Sequence, residues 1–178
     1  MGKSTPLLLL IMVIIAGLML FSRLSSTGDT TEHVPTNTFE TDVEWLALNT
    51  YYHRGEANTD EGRKAITAVV FNRLNDRKHH WGVRTIKGII TNGVERGKNC
   101  DFSWFCDGLE DEPDDPVRYA RDLALAKKSL AAYRARTFKD PTSGATWLIY
   151  KGDPLPASWK KYKLKVVGTF GEYRFYKF

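Results

Sequence analysis

One glutamate stands where a side chain could act as a general acid. Glu56 follows Arg54 and Gly55 in a polar turn between two stretches with helical periodicity. A carboxyl group held where a helix gives way to a loop can be partly desolvated and still reach a substrate, and partial burial raises its pKa toward that of a working acid. The alternative is an ordinary solvated turn residue. Glu61 is the fallback acid, although an acidic residue there also suits the positive end of a helix.

Two helices must hold this turn in place. The second begins after Asn58 or Thr59, either of which can serve as its N-cap, and it runs to about Leu74 with an apolar stripe that predicts core. Near its end stands Arg73, for which a favourable interaction with the helix dipole is a sufficient explanation. The first helix is predicted over about residues 42–53, because i, i+3, i+4 spacing puts one set of residues on a single face: Val43, Leu46, Ala47 and Thr50.

A short segment between two cysteines is rich in aromatic residues. Cys100 and Cys106 are the two cysteines of the chain, and a small disulfide-closed loop is reasonable if the domain is exported. A zinc site would lack two ligands, and the adjacent His79 and His80 have poor geometry for a metal. The sequence therefore predicts no metal site. The aromatic residues between the cysteines either form a wall on which a sugar stacks or pack on the core: Phe102, Trp104 and Phe105.

The remaining elements predict an α+β domain that is mainly α. A third long helix starts at Pro116 after an acidic cap and runs to about Arg136. A turn at residues 140–144 precedes an extended segment at residues 145–150. Two short strands, at residues 164–167 and 173–178, read as a small β-hairpin around residues 168–172.

The N-terminus carries a targeting signal or an anchor. The apolar run at residues 7–21 matches the core of a signal peptide and is slightly short for a membrane span of about 20 residues. No clear small-x-small cleavage site follows it, which favours an uncleaved membrane helix. The interpretation is an anchor or signal at residues 1–21, a flexible linker at 22–41 and a folded domain at 42–178. Either interpretation sends the domain to the far side of a membrane, tethered there by an uncleaved segment or secreted if the segment is cleaved.

The charge balance limits the partners. A net charge of +5 on 178 residues fits a polyanionic partner such as nucleic acid, anionic lipid or bacterial cell wall. A basic nucleic-acid binder fits the charge, but it explains neither the apolar N-terminal run nor the aromatic cysteine loop. No nucleic-acid partner is therefore expected.

Short sequence motifs along the chain, taken in order, resemble those of a known family. They are L-A-x-N-x-Y-Y from Leu46, R-G-E from Arg54, N-R-L from Asn72, C-D-F-S-W-F-C-D-G from Cys100, D-P-T-S-G-A-T from Asp140, P-x-S-W before Lys160, and V-G-x-F-x-x-Y-R-F-Y from Val167. Their order and spacing over about residues 45–178 are similar to the SleB/CwlJ-type cell-wall hydrolases, which include spore cortex-lytic enzymes and phage relatives.

This resemblance implies a lysozyme-like, mainly helical fold and cleavage of the bond between N-acetylmuramic acid and N-acetylglucosamine in peptidoglycan. It implies a lytic transglycosylase, in which one glutamate protonates the glycosidic oxygen and then helps the muramyl 6-hydroxyl attack the anomeric carbon. No second carboxylate and no cofactor would be needed. The resemblance also implies a set of residues that line the substrate cleft: Phe102, Ser103, Trp104, Thr146 and Tyr173.

The chain departs from the family at its acid. The family usually reads Glu-x-Arg-Gly-Glu with the first Glu as acid, whereas this chain reads His53-Arg54-Gly55-Glu56. If Arg-Gly-Glu is matched, the first Glu is absent; if Glu56-Ala57 is matched to the first pair, the loop lengths differ instead. Glu56 remains the best candidate and Glu61 the fallback, while His53 is either an auxiliary group or a helix cap. The leading hypothesis is a monomeric enzyme that cleaves peptidoglycan strands and is tethered to the outer side of the bacterial inner membrane, facing the periplasm or cell wall, as a phage endolysin could be. The alternative is a non-catalytic peptidoglycan-binding module on the same fold.

Overall fold

In the part of the chain that the computed structural model describes, four α-helices and a small sheet surround one core. The structure describes residues 38–53, 59–93 and 100–178. The helices are α1 (Thr38–Tyr52), α2 (Asp60–Asn75), α3 (Ile86–Ile90) and α4 (Pro116–Arg134), and the strands are β1 (Trp147–Tyr150), β2 (Lys165–Phe170) and β3 (Tyr173–Lys177). Two 3-10 helices, Ser103–Cys106 and Ala157–Tyr162, lie in the connections. The fold is thus mainly helical with a small antiparallel sheet, as the sequence predicts.

The helix starts follow from their caps. The Thr59 hydroxyl accepts a hydrogen bond from the Gly62 amide at 3.1 Å and begins α2. The Asp115 carboxylate accepts from the Val117 and Arg118 amides at 3.0 and 2.9 Å, with Pro116 in the first turn of α4. Each cap satisfies amides that have no partner inside the helix, so the two predicted starts are confirmed.

Helix α1 is longer than predicted. It begins at Thr38, so residues 38–41, which composition assigned to the linker, are helical. Contacts with α4 explain the difference. Arg134 donates to the Asp42 carboxylate at 3.0 Å and lies over the Phe39 ring at 4.8 Å, and Lys127 lies 3.4 Å from Glu40.

The core lies between the helices and one face of the sheet. Helix α1 packs on α4, and α2 contacts α1, α3, α4 and the sheet. The predicted faces of α1 and α2 are buried. One ion pair is buried with them, because Arg63 of α2 lies 2.8 Å from Asp122 of α4. The largest fully buried apolar side chains include Leu46, Ile66, Phe71, Ile89, Ile90, Phe102, Leu130 and Phe175.

The sheet has three strands rather than a hairpin alone. Strand β3 is central, with β1 and β2 antiparallel on either side of it. Trp147 pairs with Tyr176 and Tyr150 with Tyr173, and the register of β2 shifts between Val166 and Gly168. The predicted β2–β3 hairpin is confirmed, and the predicted extended segment before residue 150 forms the third strand.

The predicted N-terminal membrane helix at residues 7–21 lies outside the described residues. Within residues 38–53, 59–93 and 100–178, no helix combines the length and the apolar character needed to cross a membrane.

Candidate active site

The predicted acid belongs to a loop whose two ends are fixed. Residues 54–58, which include Glu56, lie outside the described residues. The loop leaves α1 at His53 and returns at Thr59, the N-cap of α2. The site is therefore built from the side chains around these two ends.

His53 is held as a neutral imidazole at the start of this loop. Its Nδ1 hydrogen-bonds to the Asn49 carbonyl one turn earlier in the chain. Because a carbonyl can only accept, Nδ1 carries the proton and Nε2 is left as an acceptor. Its ring meets Phe102 and Tyr173 edge to face, with centroids 5.6 and 5.3 Å away. Burial, reinforced by the Arg73 charge, lowers the His53 pKa to about 4 despite the opposing hydrogen bond.

Arg73 does more than complement the helix dipole. Its side chain is 3 % exposed, and its guanidinium lies between the rings of Trp81 and Phe102, at 4.4 and 4.7 Å from their centroids. Nε donates to the Thr146 carbonyl at 2.8 Å, and Nη1 lies 3.4 Å from Asp101. Burial lowers the Arg73 pKa to about 10, which still leaves it charged at neutral pH. Arg73 thus joins the aromatic cysteine segment to the strand that follows Thr146.

The aromatic segment is part of the core. The structure joins Cys100 and Cys106 in a disulfide, with Cα atoms 5.9 Å apart. Phe102 is 1 % exposed and Trp104 is 6 % exposed, so neither ring face is open to a sugar. Of the two alternatives for the aromatic segment, packing on the core describes Phe102 and Trp104, and their assignment to the substrate cleft stays a prediction. Ser103 is exposed and Phe105 is half-buried, so these two residues remain accessible from solvent.

Asn49 explains the L-A-x-N-x-Y-Y motif. It is fully buried, and its Oδ1 accepts from Trp104 Nε1 at 2.9 Å. Its carbonyl binds His53, so a single residue of α1 fixes both the aromatic segment and the imidazole. The Asn49 amide nitrogen has no partner among the described residues.

Tyr52 is the last residue of α1 and lies beside the aromatic segment. When Arg54, Gly55 and Glu56 are matched to the last three positions of Glu-x-Arg-Gly-Glu, the first Glu falls on Tyr52. Tyr52 stacks on Trp104 with ring centroids 5.0 Å apart. Its hydroxyl is buried without a hydrogen-bond partner among the described residues, and burial, together with the Asp111 charge, raises its pKa to about 12. Under that alignment, a neutral phenol replaces the first Glu of the motif.

The two remaining predicted cleft residues contact Arg73 and His53: the Thr146 carbonyl accepts from Arg73, and the Tyr173 ring meets His53. Thr146 is 6 % exposed; its amide donates to the Tyr176 carbonyl at 3.1 Å, and its buried hydroxyl has no partner among the described residues. Tyr173 begins β3 and packs against both His53 and Tyr150. The structure thus brings Thr146, Tyr173 and Phe102 together around Arg73 and His53.

The D-P-T-S-G-A-T motif is a turn organised by its aspartate. Asp140 accepts from the Thr142 amide and hydroxyl and from the Gly144 amide, each at 2.7 Å, and from Asn72 at 3.0 Å. Burial alone would raise the Asp140 pKa, but these hydrogen bonds outweigh it and leave the pKa below its usual value. Asn72 also donates to the Ala145 carbonyl at 3.0 Å. The adjacent residues Asn72 and Arg73 therefore hold the backbone on which Thr146 sits.

Glu61 lies apart from these packed side chains. It is exposed in the first turn of α2, where a carboxylate is favoured by the helix dipole. As for metals, the described residues contain no group of three or more His, Cys, Asp or Glu side chains placed to hold an ion. His79 instead hydrogen-bonds to Asp76 at 2.7 Å and stacks on Phe178 with centroids 3.7 Å apart.

Sequence reasoning missed two members of the site. The sequence analysis treats Asn49 only as one position of the L-A-x-N-x-Y-Y motif. It treats Arg73 only as a cation at the end of a helix. A polar residue on the buried face of α1 and an arginine one position before the last apolar residue of α2 were the available signals, because such residues need buried partners.

The chain was compared with families, curated proteins and solved structures. The cell wall hydrolase family matches residues 57–176, so the match begins directly after Glu56. No curated protein matches. Similar solved structures include the catalytic domain of SleB from Bacillus cereus, at 17% identity and a TM-score of 0.45, covering 77% of this chain and 91% of that one.

Another similar structure is the catalytic domain of the germination-specific lytic transglycosylase SleB from Bacillus anthracis, at 19% identity and a TM-score of 0.43, covering 76% of this chain and 94% of that one. The family match spans most of the domain and includes the capped helix α2, the cysteine segment, the Asp140 turn and most of the sheet. The predicted identity as a cell-wall enzyme is confirmed at this level: the chain belongs to the cell wall hydrolase family.

Proposed function

We propose that this chain is a peptidoglycan lytic transglycosylase that cleaves the bond between N-acetylmuramic acid and N-acetylglucosamine, with Glu56 as its single catalytic acid and base. Membership of the cell wall hydrolase family supports the substrate class. The observation that carries the assignment of the site is His53. A neutral imidazole is fixed by Asn49 directly before the segment that contains Glu56, with Nε2 as a hydrogen-bond acceptor.

The proposed reaction uses one carboxyl group twice. Glu56 donates its proton to the glycosidic oxygen as the bond from that oxygen to the anomeric carbon breaks. The resulting carboxylate then takes the proton of the muramyl 6-hydroxyl while the oxygen of that hydroxyl bonds to the anomeric carbon. This proton transfer regenerates the acid. The products are a 1,6-anhydro end and a new free hydroxyl, and no water is consumed.

His53 has a positioning role in this scheme. Its Nε2 can accept a hydrogen bond from the loop or from a substrate hydroxyl without becoming charged, because its pKa of about 4 lies well below the pH at which a cell wall is cleaved. The edge-to-face contacts with Phe102 and Tyr173 restrict the ring. An imidazole that stays neutral also avoids lowering the pKa of a nearby carboxyl group, which a working acid requires.

The test compares two glutamate variants of the full-length protein on purified peptidoglycan. Glu56→Gln removes the proton donor and should abolish release of soluble muropeptides, while unfolding and sedimentation with the wall stay as in the wild type. Glu61→Gln is the matched control, because Glu61 is exposed in a helix turn and should not affect turnover. Full activity of Glu56→Gln would overturn the assignment and move it to Glu61.

A non-catalytic wall-binding module is the second candidate, and Tyr52 is the observation that favours it. The phenol falls on the first Glu of Glu-x-Arg-Gly-Glu when Arg54, Gly55 and Glu56 are matched to its last three positions. Under this hypothesis the wild-type protein would sediment with peptidoglycan and release nothing. Release of muropeptides by the wild type would exclude it.

The proposed setting is the outer face of a bacterial inner membrane, with residues 7–21 as the anchor and the domain facing the wall, as in a phage lysis protein. The unbroken apolar run after Lys3 supports this proposal. Cell fractionation with an alkaline carbonate wash tests it. Recovery of the intact chain in the washed membrane is expected, and recovery in the soluble fraction would contradict the anchor.

A further inference from the structure

A cavity separate from the His53 cluster lies where α4 ends. Its volume is about 450 Å³, which is in the range of ligand pockets. The rings of Tyr133 and Phe138 line it on one side, and Asn72, Asn75 and Asp140 contribute polar groups. Tyr133 is fixed there, because it stacks on Phe71 with centroids 4.1 Å apart and its hydroxyl donates to Asn75 at 2.8 Å.

The cavity is positively charged on balance. Arg136 and Arg134 both line it, and Lys64 lies over the Phe138 ring at 5.5 Å. Its one carboxylate, Asp140, already accepts hydrogen bonds from two backbone amides, a hydroxyl and Asn72. Arg134 is paired with Asp42. The guanidinium of Arg136, by contrast, has no ion-pair or hydrogen-bond partner among the described residues.

Arg136 is held in a backbone conformation that favours glycine. Its φ is 59°, in the left-handed region, and its amide donates to the Tyr133 carbonyl at 3.0 Å in the turn that closes α4. Glycine is the usual residue at this position of a helix end, because a side chain there adds strain. A strained arginine that lines a cavity and lacks a partner suggests a ligand for its guanidinium.

The uncharged groups of the cavity suit an N-acetylated sugar. Asn72 donates to Asp140 and to the Ala145 carbonyl, which leaves its Oδ1 without a hydrogen bond among the described residues. Asn75 accepts a hydrogen bond from Tyr133, and its amide hydrogens have no acceptor among the described residues. An acetamido group presents one donor and one acceptor, and an aromatic ring packs against the apolar face of a sugar.

We propose that this cavity is a second binding site for peptidoglycan, which takes an N-acetylated muramyl unit and pairs Arg136 with a carboxylate of its peptide stem. This inference rests on the proposed function, since it names a further contact with the same wall polymer. The cavity and the His53 cluster share helix α2. Asn72 lines the cavity, and the next residue, Arg73, contacts Phe102 beside His53. A wall strand held here would stay bound to α2, whose Arg73 contacts Phe102, between cleavage events.

The test uses two glycine substitutions that are matched in charge and backbone. Arg136→Gly removes the proposed ligand contact and relieves the left-handed strain. Lys163→Gly is the control, because Lys163 is an exposed basic residue with a φ of 51° at the end of the second 3-10 helix, outside the cavity lining. Both variants should unfold at the wild-type midpoint or slightly above it, so a loss of binding cannot be ascribed to misfolding.

Binding of a soluble disaccharide tetrapeptide to the full-length proteins is measured by titration calorimetry. This probe lacks the bond that the enzyme is proposed to cut, so the reading does not depend on turnover. Arg136→Gly should bind about tenfold more weakly than wild type, the effect of one lost charge-assisted hydrogen bond, and Lys163→Gly should bind as wild type. Uncharged oligomers of N-acetylglucosamine should bind wild type and Arg136→Gly alike.

Three results would overturn the inference. The first is equal affinity of wild type and Arg136→Gly for the tetrapeptide probe, and the second is equal weakening in both glycine variants. The third is complete displacement of the probe by millimolar inorganic phosphate, which would indicate a general anion site. If wild-type protein binds the probe through Arg136 but releases nothing from peptidoglycan, the proposed catalytic function fails while this site stands.

Discussion

Replacing Arg73 by lysine separates two explanations of this residue. If Arg73 only complements the dipole of α2, lysine keeps the charge and the free energy of unfolding should not change, and even Arg73→Met should cost only about 0.3–1 kcal/mol. The structure predicts otherwise. The guanidinium is 3 % exposed, is stacked between Trp81 and Phe102, and donates to the Thr146 carbonyl at 2.8 Å.

The magnitude follows from these contacts. A hydrogen bond from a charged donor contributes about 1.5–3 kcal/mol, and a desolvated cation–ring contact adds up to about 2 kcal/mol. The ion pair with Asp101, at 3.4 Å and partly exposed, adds little. Lysine keeps the charge but loses the planar fork, so we expect Arg73→Lys to cost about 2 kcal/mol. Arg73→Met loses the hydrogen bond and both cation–ring contacts and leaves the Thr146 carbonyl without its donor, so it should cost about 3–5 kcal/mol.

The assay is urea unfolding of the full-length protein, followed by tryptophan fluorescence. Arg77→Lys is the control, because Arg77 is an exposed arginine just beyond the same helix and should leave the transition unchanged. An Arg73→Lys variant as stable as wild type would refute the structural role and restore the dipole explanation.

Two further perturbations have defined outcomes. The His53 pKa falls from 6.5 to about 4 on folding, so the unfolded chain binds the proton more readily. The free energy of unfolding should therefore decrease by about 1–3 kcal/mol as pH falls from about 6.5 to 4. His53→Gln should reduce this pH dependence, and a variant with the pH dependence of wild type would contradict a neutral His53 in the folded state. The Cys100–Cys106 bridge closes a short loop, so Cys100→Ser/Cys106→Ser should cost about 2 kcal/mol, and denatured, non-reduced wild type should show no free thiol; two thiols would contradict the bridge.

Local signals were sufficient for the helix starts and the apolar faces. Thr59 and Asp115 could be read as caps because a cap needs only its own residue type and the few amides that follow. The buried stripe of α2 follows from 3.6-residue periodicity alone. These features depend on neighbours in sequence, and the structure confirms them.

The features that the sequence left open depend on distant residues. The start of α1 at Thr38 depends on Phe39 and Asp42 meeting Arg134 of α4. The third strand depends on β1 pairing with β3 across the second 3-10 helix and β2. Composition alone therefore gave a linker and an isolated extended segment.

The site shows the same limit. An aromatic residue between two cysteines suits a sugar wall or a core equally well, and for Trp104 the choice is made by Asn49, which lies far away in the chain. The interpretation of Arg73 as a helix-end cation missed Thr146 and Trp81 for the same reason. The role of Glu56 remains a prediction, since it lies outside the described residues.

The measurement that tests the central claim most directly is mass spectrometry of the products that the full-length protein releases from purified peptidoglycan. The account predicts muropeptides that end in 1,6-anhydro-muramic acid from wild type and from Glu61→Gln, and none from Glu56→Gln. Ends that have gained water would contradict transglycosylation, and anhydro products from Glu56→Gln would contradict Glu56 as the acid.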